Sequence, residues 1–485
     1  MATPILAAFL LLGGCAVGPR YSRPSAPVAP AYKETPENWK QAQPADQLAH
    51  GKWWEIYQDA GLNPLEEKID VSNQSLKTAQ AQFQQARALV AFNRANYFPV
   101  VTTGPSATRD RLSRNRPLMS TTTDYTDLVL PVDASYEPDL WGRVRHTVEA
   151  ARANAQASAA DLESVRLSLH AELATDYFEA RALDAEIQLL NSTVSAYEKA
   201  LELTNNRYRG GIASQVDVAQ AQTQLETTRA QAVDLAAQRA AYEHAIAVLA
   251  GEPPANLALP AIPLNAVPPV IPPGLPSDLL ERRPDIAAAE RRMVAANAQI
   301  GVARAAYFPT LTLSASGGFE GTSITNWLTG PSGFAAAGLG AMETIFDAGL
   351  RHAVSQQAQA GYDESVANYR QSVLTAFQEV EDNLAALRIL ENEAQTEAAA
   401  VAAAEHSLAL SNNRYRGGVA TYLEVITAQS AALSDERTAV ELSGRRMTDS
   451  VLLIKALGGG WSTASLPSAQ SLAQSPPAAS AQTSR

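Results

Sequence analysis

The chain has 485 residues, a net charge of −12 and only 18% charged residues, and it shows no Lys/Arg run, which argues against a nucleic-acid binder. Its single cysteine, Cys15, excludes an intramolecular disulfide and an all-cysteine metal site. Abundant Ala and Gln with 6% aromatics suit long helices packed through small side chains, either as two or three ordinary domains or as one large duplicated unit.

Residues 1–15 read MATPILAAFLLLGGC. The apolar run Ile5 to Leu12 is too short to span a membrane as a helix. Leu12-Gly13-Gly14-Cys15 is similar to a bacterial lipobox, in which a signal (1–14) is cut before the cysteine and Cys15 is acylated. The n-region departs from that pattern in having no Lys or Arg. A buried strand with a chance cysteine is the alternative. Ala16, rather than Asp, after the cysteine points towards the outer membrane. Residues 15–59 would then be a lipid-anchored segment.

The body of the chain is said twice. RANYFPVVT (94–102) returns as RAAYFPTLT (304–312), and NNRYRGGIASQVDVAQAQ (205–222) returns as NNRYRGGVATYLEVITAQ (412–429), at offsets of 210 and 207. The copies run over about 60–250 and 276–457. In each, Tyr-Phe-Pro stops a helix, because proline and the residue before it oppose continuation. Strands are expected near 100–138 and 310–346. Leu128, Leu130, Val132, Ala134 and Tyr136 alternate with Val129, Pro131, Asp133 and Ser135, and Leu311, Leu313 and Ala315 alternate with Thr312, Ser314 and Ser316. That makes two strands per copy, joined by polar loops near 106–124 and 317–333. The alternation fits either an outer-membrane barrel built from several chains or a soluble hairpin capping a bundle.

From 143 to 209 no Gly or Pro intervenes, and apolar residues from Leu162 to Leu201 recur about every 3.5 residues. A helix of that length is roughly 100 Å long and points to a rod, bundle or tunnel. Arg209-Gly210-Gly211 and Arg416-Gly417-Gly418 break the pattern, the paired glycines supplying positive φ. Ser214 and Thr421 then cap the next helix. The repeated motif therefore reads as a helical hairpin tip, at about 205–217 and 412–424. Between the copies, nine prolines in residues 251–276 predict an extended linker (251–275). The tail 458–485 is expected to be loose.

Nothing in the sequence points to catalysis or to a cofactor. The six histidines form no HExxH or His-x-His pair, and neither a phosphate-binding glycine loop nor Gly-x-Ser-x-Gly occurs.

Taken in order, several pieces resemble the outer-membrane efflux proteins, the TolC-like outer membrane factors, in their lipoprotein branch. They are Cys15-Ala16-Val17-Gly18-Pro19, Trp53-Trp54, both Tyr-Phe-Pro stops, Leu140-Trp141-Gly142-Arg143, Ile345-Phe346-Asp347-Ala348-Gly349, Glu281-Arg282-Arg283-Pro284-Asp285-Ile286 and the doubled Arg-Tyr-Arg-Gly-Gly. The resemblance covers about 15–460. It implies a mainly α fold with a membrane β-barrel: a homotrimer forming a twelve-strand outer-membrane barrel and a periplasmic α-helical tunnel. It implies a passive conduit for small toxic compounds, docked on a periplasmic adaptor protein and an inner-membrane pump of the RND type. An outer-membrane channel of a secretion system and a pore-less periplasmic scaffold are the alternatives.

The tip residues Arg207, Tyr208, Arg209, Gly210, Gly211, Arg414, Tyr415, Arg416, Gly417 and Gly418 would meet the adaptor. By the same resemblance Asp217, Leu423, Glu424 and Thr427 fall at the periplasmic aperture, with Thr427 where many relatives carry a further Asp. Read from the residues alone, Asp217 and Glu424 are equally first-turn acids favoured by the helix dipole.

Overall fold

A computed structural model of the chain describes residues 17–34, 51–113, 124–272, 274 and 276–473. The expected signal, Cys15 and Ala16 lie outside the described residues.

The first copy opens with a 3-10 turn at Trp53–Tyr57, α1 (Leu62–Ser72) and α2 (Gln74–Ala95). It continues through β1 (Val100–Thr103), β2 (Ser106–Arg111) and β3 (Asp124–Tyr136). It then returns in the long helix α3 (Arg143–Arg209) and its partner α4 (Gln215–Leu249). After the linker, one turn at Leu279–Arg282 leads to α5 (Pro284–Ala305), β4 (Thr310–Gly321), β5 (Gly333–Met342), α6 (Leu350–Arg416) and α7 (Tyr422–Ala456). α3 and α6 have 67 residues each, and α4 and α7 have 35 each. The duplication read in the sequence is therefore a duplication of lengths as well.

The helix ends follow from local chemistry. α2 and α5 stop at Ala95 and Ala305, just short of the two Tyr-Phe-Pro stretches. α3 and α6 start after Gly142 and Gly349, at φ 85° and 89°. Asp139 accepts the free amides of Val144 and Arg145 at 3.0 and 2.8 Å, and Asp347 those of Gly349 and Arg351 at 3.0 and 3.2 Å.

The strands form one antiparallel sheet in the order β1-β3-β4-β5, with β2 also on β3. The connecting loops are shorter than the sequence predicts. Past Gly104-Pro105 the chain resumes pairing as β2, and β4 runs through Gly317-Gly318 to Gly321. Gly318 is needed for pairing: a Cβ there would stand 2.0 Å from the carbonyl oxygen of Leu130. The register puts Val101, Ala134, Ala315 and Ala337 in one row and Tyr136, Leu313 and Leu339 in another on the same face. The opposite face carries Thr102, Asp133 and Ser316, then Ser135 and Ser314. Over these rows one face is mainly apolar and the other mainly polar, with Val100 beside Ser135 on the polar face.

The core lies part-way along the long helices. Trp54, Leu62, Ile69, Leu173, Tyr177, Phe178, Ile286, Tyr369, Val373 and Ile454 form one buried cluster. The linker is extended, as its prolines require, and is pinned across α3: Leu264 donates its amide to the Arg181 carbonyl at 3.0 Å, and Ile262 donates to Asp184 at 3.1 Å. The tail corrects the expectation of looseness over its described part. Trp461 and Leu466 pack on Ala160, Ala287 and Ala288, and Leu472 is buried against Val90 and Ala155. Small alanines on α3 and α5 leave room for these scattered apolar residues; 474–485 lie outside the described residues. Among the described residues no helix is long and apolar enough to cross a membrane.

Candidate functional site at the hairpin tips

Each tip is built by the repeated motif. At the end of α3, Ile212 donates to the Arg207 carbonyl at 2.8 Å and Gly211 to the Tyr208 carbonyl at 2.9 Å. Val419 and Gly418 do the same to Arg414 and Tyr415, at 3.0 and 3.0 Å. These are the crossed bonds that close a helix C-terminus with a left-handed residue. Only the second glycine of each pair takes that conformation: Gly211 has φ 73° and Gly418 φ 76°. Gly210 and Gly417 stay near helical values at φ −79° and −74°, because one reversal of hand suffices to turn the chain. The expectation that both glycines supply positive φ is corrected to one.

Ser214 caps α4 in a reciprocal box. Its amide and hydroxyl donate to Asp217 at 2.8 and 2.9 Å, and the Asp217 amide donates back to the Ser214 hydroxyl at 3.2 Å. The second box is looser, with the Thr421 amide 3.4 Å from Glu424. Both acids thus have a local role in starting a helix. Leu423, Glu424 and Thr427 share an exposed face of α7, Thr427 donating its hydroxyl to the Leu423 carbonyl at 2.9 Å. Asp217 is half-buried.

The arginines behave unequally. Arg207 reaches from the first hairpin to the second. Its guanidinium lies 4.5 Å from the centre of the Tyr415 ring and donates to the Arg416 carbonyl at 3.3 Å. Arg414 instead approaches Glu424 on its own hairpin at 3.6 Å. Arg209 lines a surface groove with Glu226 and Arg229, and Arg416 borders a groove of about 550 Å³ with Tyr197, Asn412 and Tyr422. Identical motif residues also differ in burial: Tyr208 is 44% exposed and Tyr415 6%. Tyr415 packs on Tyr422 at 5.2 Å between ring centres, with Ala221 and Val425 completing the cluster. Burial pushes the Tyr422 phenol up to about 12. Sequence reasoning misses Tyr422, because it occupies one of the few positions of the repeat where the copies differ in kind, with Gln215 as its counterpart.

Away from the tips, α3 and α7 bring acids together. Burial raises the Asp176 carboxyl to about 6, helped by Glu172 and Glu179; burial also raises Glu179, helped by Glu441 and Asp449. At the other end, where helices meet strands, Trp141 stacks on Phe308 at 4.8 Å and donates its indole N–H to the Pro309 carbonyl at 2.8 Å. Phe98, Ile345 and Phe346 are exposed there. Val17 is held at this junction by donating its amide N–H to the Trp141 carbonyl at 3.1 Å. Gly18 is pressed so close to Gly301 and His146 that a Cβ would stand 3.0 Å from each.

The sequence pattern of the family described as Outer membrane efflux protein matches twice, over residues 66–252 and 275–459. The chain belongs to the outer membrane efflux protein family. It is similar to the antibiotic efflux pump outer membrane protein ArpC and to the toluene efflux pump outer membrane protein TtgC, both of Pseudomonas putida. Each is 35% identical over 459 residues, covering 93% of this chain and 94% of the relative. Among solved structures, the outer-membrane channel OprN superposes with a TM-score of 0.86 at 29% identity, over 92% of this chain and 100% of that one. The chain is thus an outer-membrane efflux channel of TolC-like fold, with a helical tunnel part and strands of a β-barrel, and the reading as a pore-less scaffold falls away. Its polar and apolar sheet faces, with aromatic residues at the helix–strand junction, fit that membrane setting.

Proposed function

We propose that three copies of this chain close one barrel and one tunnel, and that the assembly is the passive exit duct of a tripartite pump for small toxic organic compounds. The observation that carries this reading is the sheet. It is four strands wide, with β1 and β2 sharing one side of β3, and its two outer edges, β1/β2 and β5, have no strand partner among the described residues. An apolar-faced sheet with open edges is a liability in water. Three such sheets joined edge to edge give twelve strands with the apolar face in lipid and the Ser, Thr and Asp face in the lumen.

Each chain then contributes two tips, and three chains present six similar ones to a periplasmic adaptor and, through it, to an inner-membrane pump of the RND type. Asp217 and Glu424, with Leu423 and Thr427, line the narrow periplasmic mouth. Six carboxylates there, with the acids of α3 and α7 above them, favour cationic cargo and resist anions. Compounds of the class named for the relatives, antibiotics and aromatic solvents, are the proposed cargo. Cys15 is acylated: Val17, two residues on, is tied to the helix–strand junction, at the height where an acyl chain on Cys15 would enter the inner leaflet of the outer membrane.

The test is conductance of the purified protein in a planar lipid bilayer, wild type beside Asp217→Ala/Glu424→Ala. Discrete channels whose cation preference falls in the double variant support conduit and aperture together. Channels indifferent to the substitutions keep the conduit and sink the aperture assignment.

A further inference from the structure

The apolar side of the sheet changes character at the end far from the helices. From Tyr136 up to Leu128, every position on that side of β3 and of its partner strands is apolar, a glycine or Thr103. The next two rows on the same side pair Thr126 with Arg109 and Asp124 with Arg111. Leu128 to Tyr136 spans about 27 Å along the strand, and about 21 Å in height at a tilt of about 40°. An outward apolar band is about 25 Å tall, so the two arginine rows fall at its outer rim. Trp327 marks the same level. A Cβ at Gly321, pointing outward beside Leu128, would stand 3.3 Å from the Trp327 Cα, and the indole N–H donates to the Phe319 carbonyl at 3.2 Å. The β4–β5 turn is thus folded onto the outward side just below the arginines, and an indole there suits the headgroup level of a membrane. Both arginines are exposed. Arg111 has Asp124 at 3.8 Å, an exposed pair that is worth little and is readily exchanged. Arg109 forms no ion pair among the described residues, since its neighbours Asp110 and Asp127 alternate onto the polar face. The edge that the trimeric reading sets beside β1/β2 brings no acid either: β5 reads GFAAAGLGAM, and residues 322–332 before it contain no Asp or Glu.

We propose that Arg109 and Arg111 form a binding site for the phosphate of a phosphorylated glycolipid headgroup in the outer leaflet. The inference rests on the barrel reading above, which sets this side of the sheet in lipid. A guanidinium offers a planar fork of N–H donors that matches phosphate oxygens. The two residues lie two apart on one strand, with Cα atoms about 7 Å from each other, so their long side chains can close on one phosphate from two sides. Their aliphatic stems lie over the rim of the apolar band while the charged ends reach outward. A ligand held there by its phosphate would lay its acyl chains on Leu128, Leu130 and Phe319, which a dissolved anion cannot do. A phosphomonoester carries a charge of about −1.5 to −2 near neutral pH, against one for a phosphodiester lipid, so two arginines favour the monoester. Because β2 is an edge strand, the sites of a trimer fall at the seams between copies.

The experiment titrates full-length protein in detergent with diphosphoryl lipid A, with its dephosphorylated form, with phosphatidylglycerol and with inorganic phosphate, and counts bound lipid by native mass spectrometry. Wild type is compared with Arg109→Gln, Arg111→Gln, the double variant and Asp110→Asn, the last on the opposite face of the same strand. Trimers are expected in every case, because neither arginine is packed in the core. Each single glutamine variant should bind diphosphoryl lipid A roughly fivefold more weakly and the double variant roughly 25-fold, the size of effect expected for one and two arginines at an anionic lipid surface. Asp110→Asn should match wild type. Undiminished binding in the double variant, or equally tight binding of the dephosphorylated lipid, would overturn the proposal while leaving the conduit standing. Equal affinity for phosphatidylglycerol would overturn the choice of a phosphomonoester headgroup, and equal affinity for inorganic phosphate the choice of a lipid. A wild-type protein that is neither trimeric nor conducting would sink the functional reading, and this inference with it.

Discussion

α3 is covered along most of its length, with buried residues from Val144 to Thr204, whereas α6, equally long, buries only Tyr369 to Leu390 and then Tyr415 at its tip. A similar contrast recurs wherever the two copies are laid side by side. Gly251 and Gly458 are equivalent: both take positive φ, and a Cβ would stand 2.5 Å from the Ser72 carbonyl oxygen in one case and 2.1 Å from that of Arg282 in the other. Asn73 donates to the carbonyl of Leu249 at 2.8 Å; its counterpart Arg283 donates to that of Ala456 at 2.9 Å and to Glu379 and Asp285 at 2.7 Å each. Glu66 and His170 form a buried pair at 2.6 Å with Trp54 stacked on the imidazole; at the corresponding places the second copy has Pro276 and Phe377. Duplication thus preserves the path of the backbone, which close approaches such as those of the glycines enforce. The side chains that hold the path are free to diverge, because any group that fills the space and satisfies its polar neighbours will serve.

The contrast between the copies is challenged hardest at Arg283. Arg283→Ala leaves the Ala456 carbonyl without its donor and removes a buried guanidinium from two half-exposed carboxylates, Asp285 and Glu379, and should cost about 2–3 kcal/mol, read as a drop in thermal unfolding temperature in detergent. Gly251→Ala and Gly458→Ala should each cost more than the about 1–3 kcal/mol of positive-φ strain alone, because the added Cβ also overlaps a backbone carbonyl; a neutral result at either would show that the carbonyl approach is not what sets the turn. Asn73→Ala removes a helix cap and a bond to Leu249, and about 1–2 kcal/mol is expected. Set beside Arg283→Ala, it measures how much more the second copy relies on its staple.

The buried pair makes a pH prediction that belongs to the first copy alone. Burial raises Glu66 from 4.5 to about 7. Burial pulls His170 down, but the carboxylates of Asp70 at 3.7 Å and Glu66, hydrogen-bonded at 2.6 Å, outweigh that and leave it raised. Both groups therefore hold protons more tightly folded than unfolded. The groups facing the pair are Asp70 on α1, and Glu163 and Arg166 on α3. Asp70 is lowered by the nearby His170 imidazole at 3.7 Å, so its opposing effect appears only below pH about 4. Stability should therefore be highest near pH about 5 and fall as pH rises through about 7, the pair titrating as a unit. Glu66→Gln should flatten that slope in a melting-temperature series; an unchanged slope would assign it to other groups. The smallest effect is at the caps: Ser214→Ala should cost about 1 kcal/mol and Thr421→Ala less, since its box is looser.

The elements that depend on near neighbours in the chain are legible in the sequence. Pro99 and Pro309 stop helices wherever they occur, Ser214 and Thr421 cap because their oxygens reach the amides of their own turn, and period-two alternation marks strands. The offset of 207 residues predicts equal helices, and they are equal. Features set by distant partners are not legible. The tail docks because alanines on α3 and α5 leave grooves for Trp461 and Leu472. β4 continues through Gly317-Gly318 because β3 passes close by. The pairing of Glu66 with His170 spans 104 residues of sequence.

The tips show the division most directly. That two identical Arg-Tyr-Arg-Gly-Gly turns exist, where the chain reverses and which acid caps the next helix are all matters of sequence, since each is settled within one or two helical turns. That Tyr415 lies beneath Arg207 while Tyr208 stands open is a matter of packing across the fold. A ring is buried by what lies against it from elsewhere in the molecule, and two copies in one chain cannot both lie between the same neighbours.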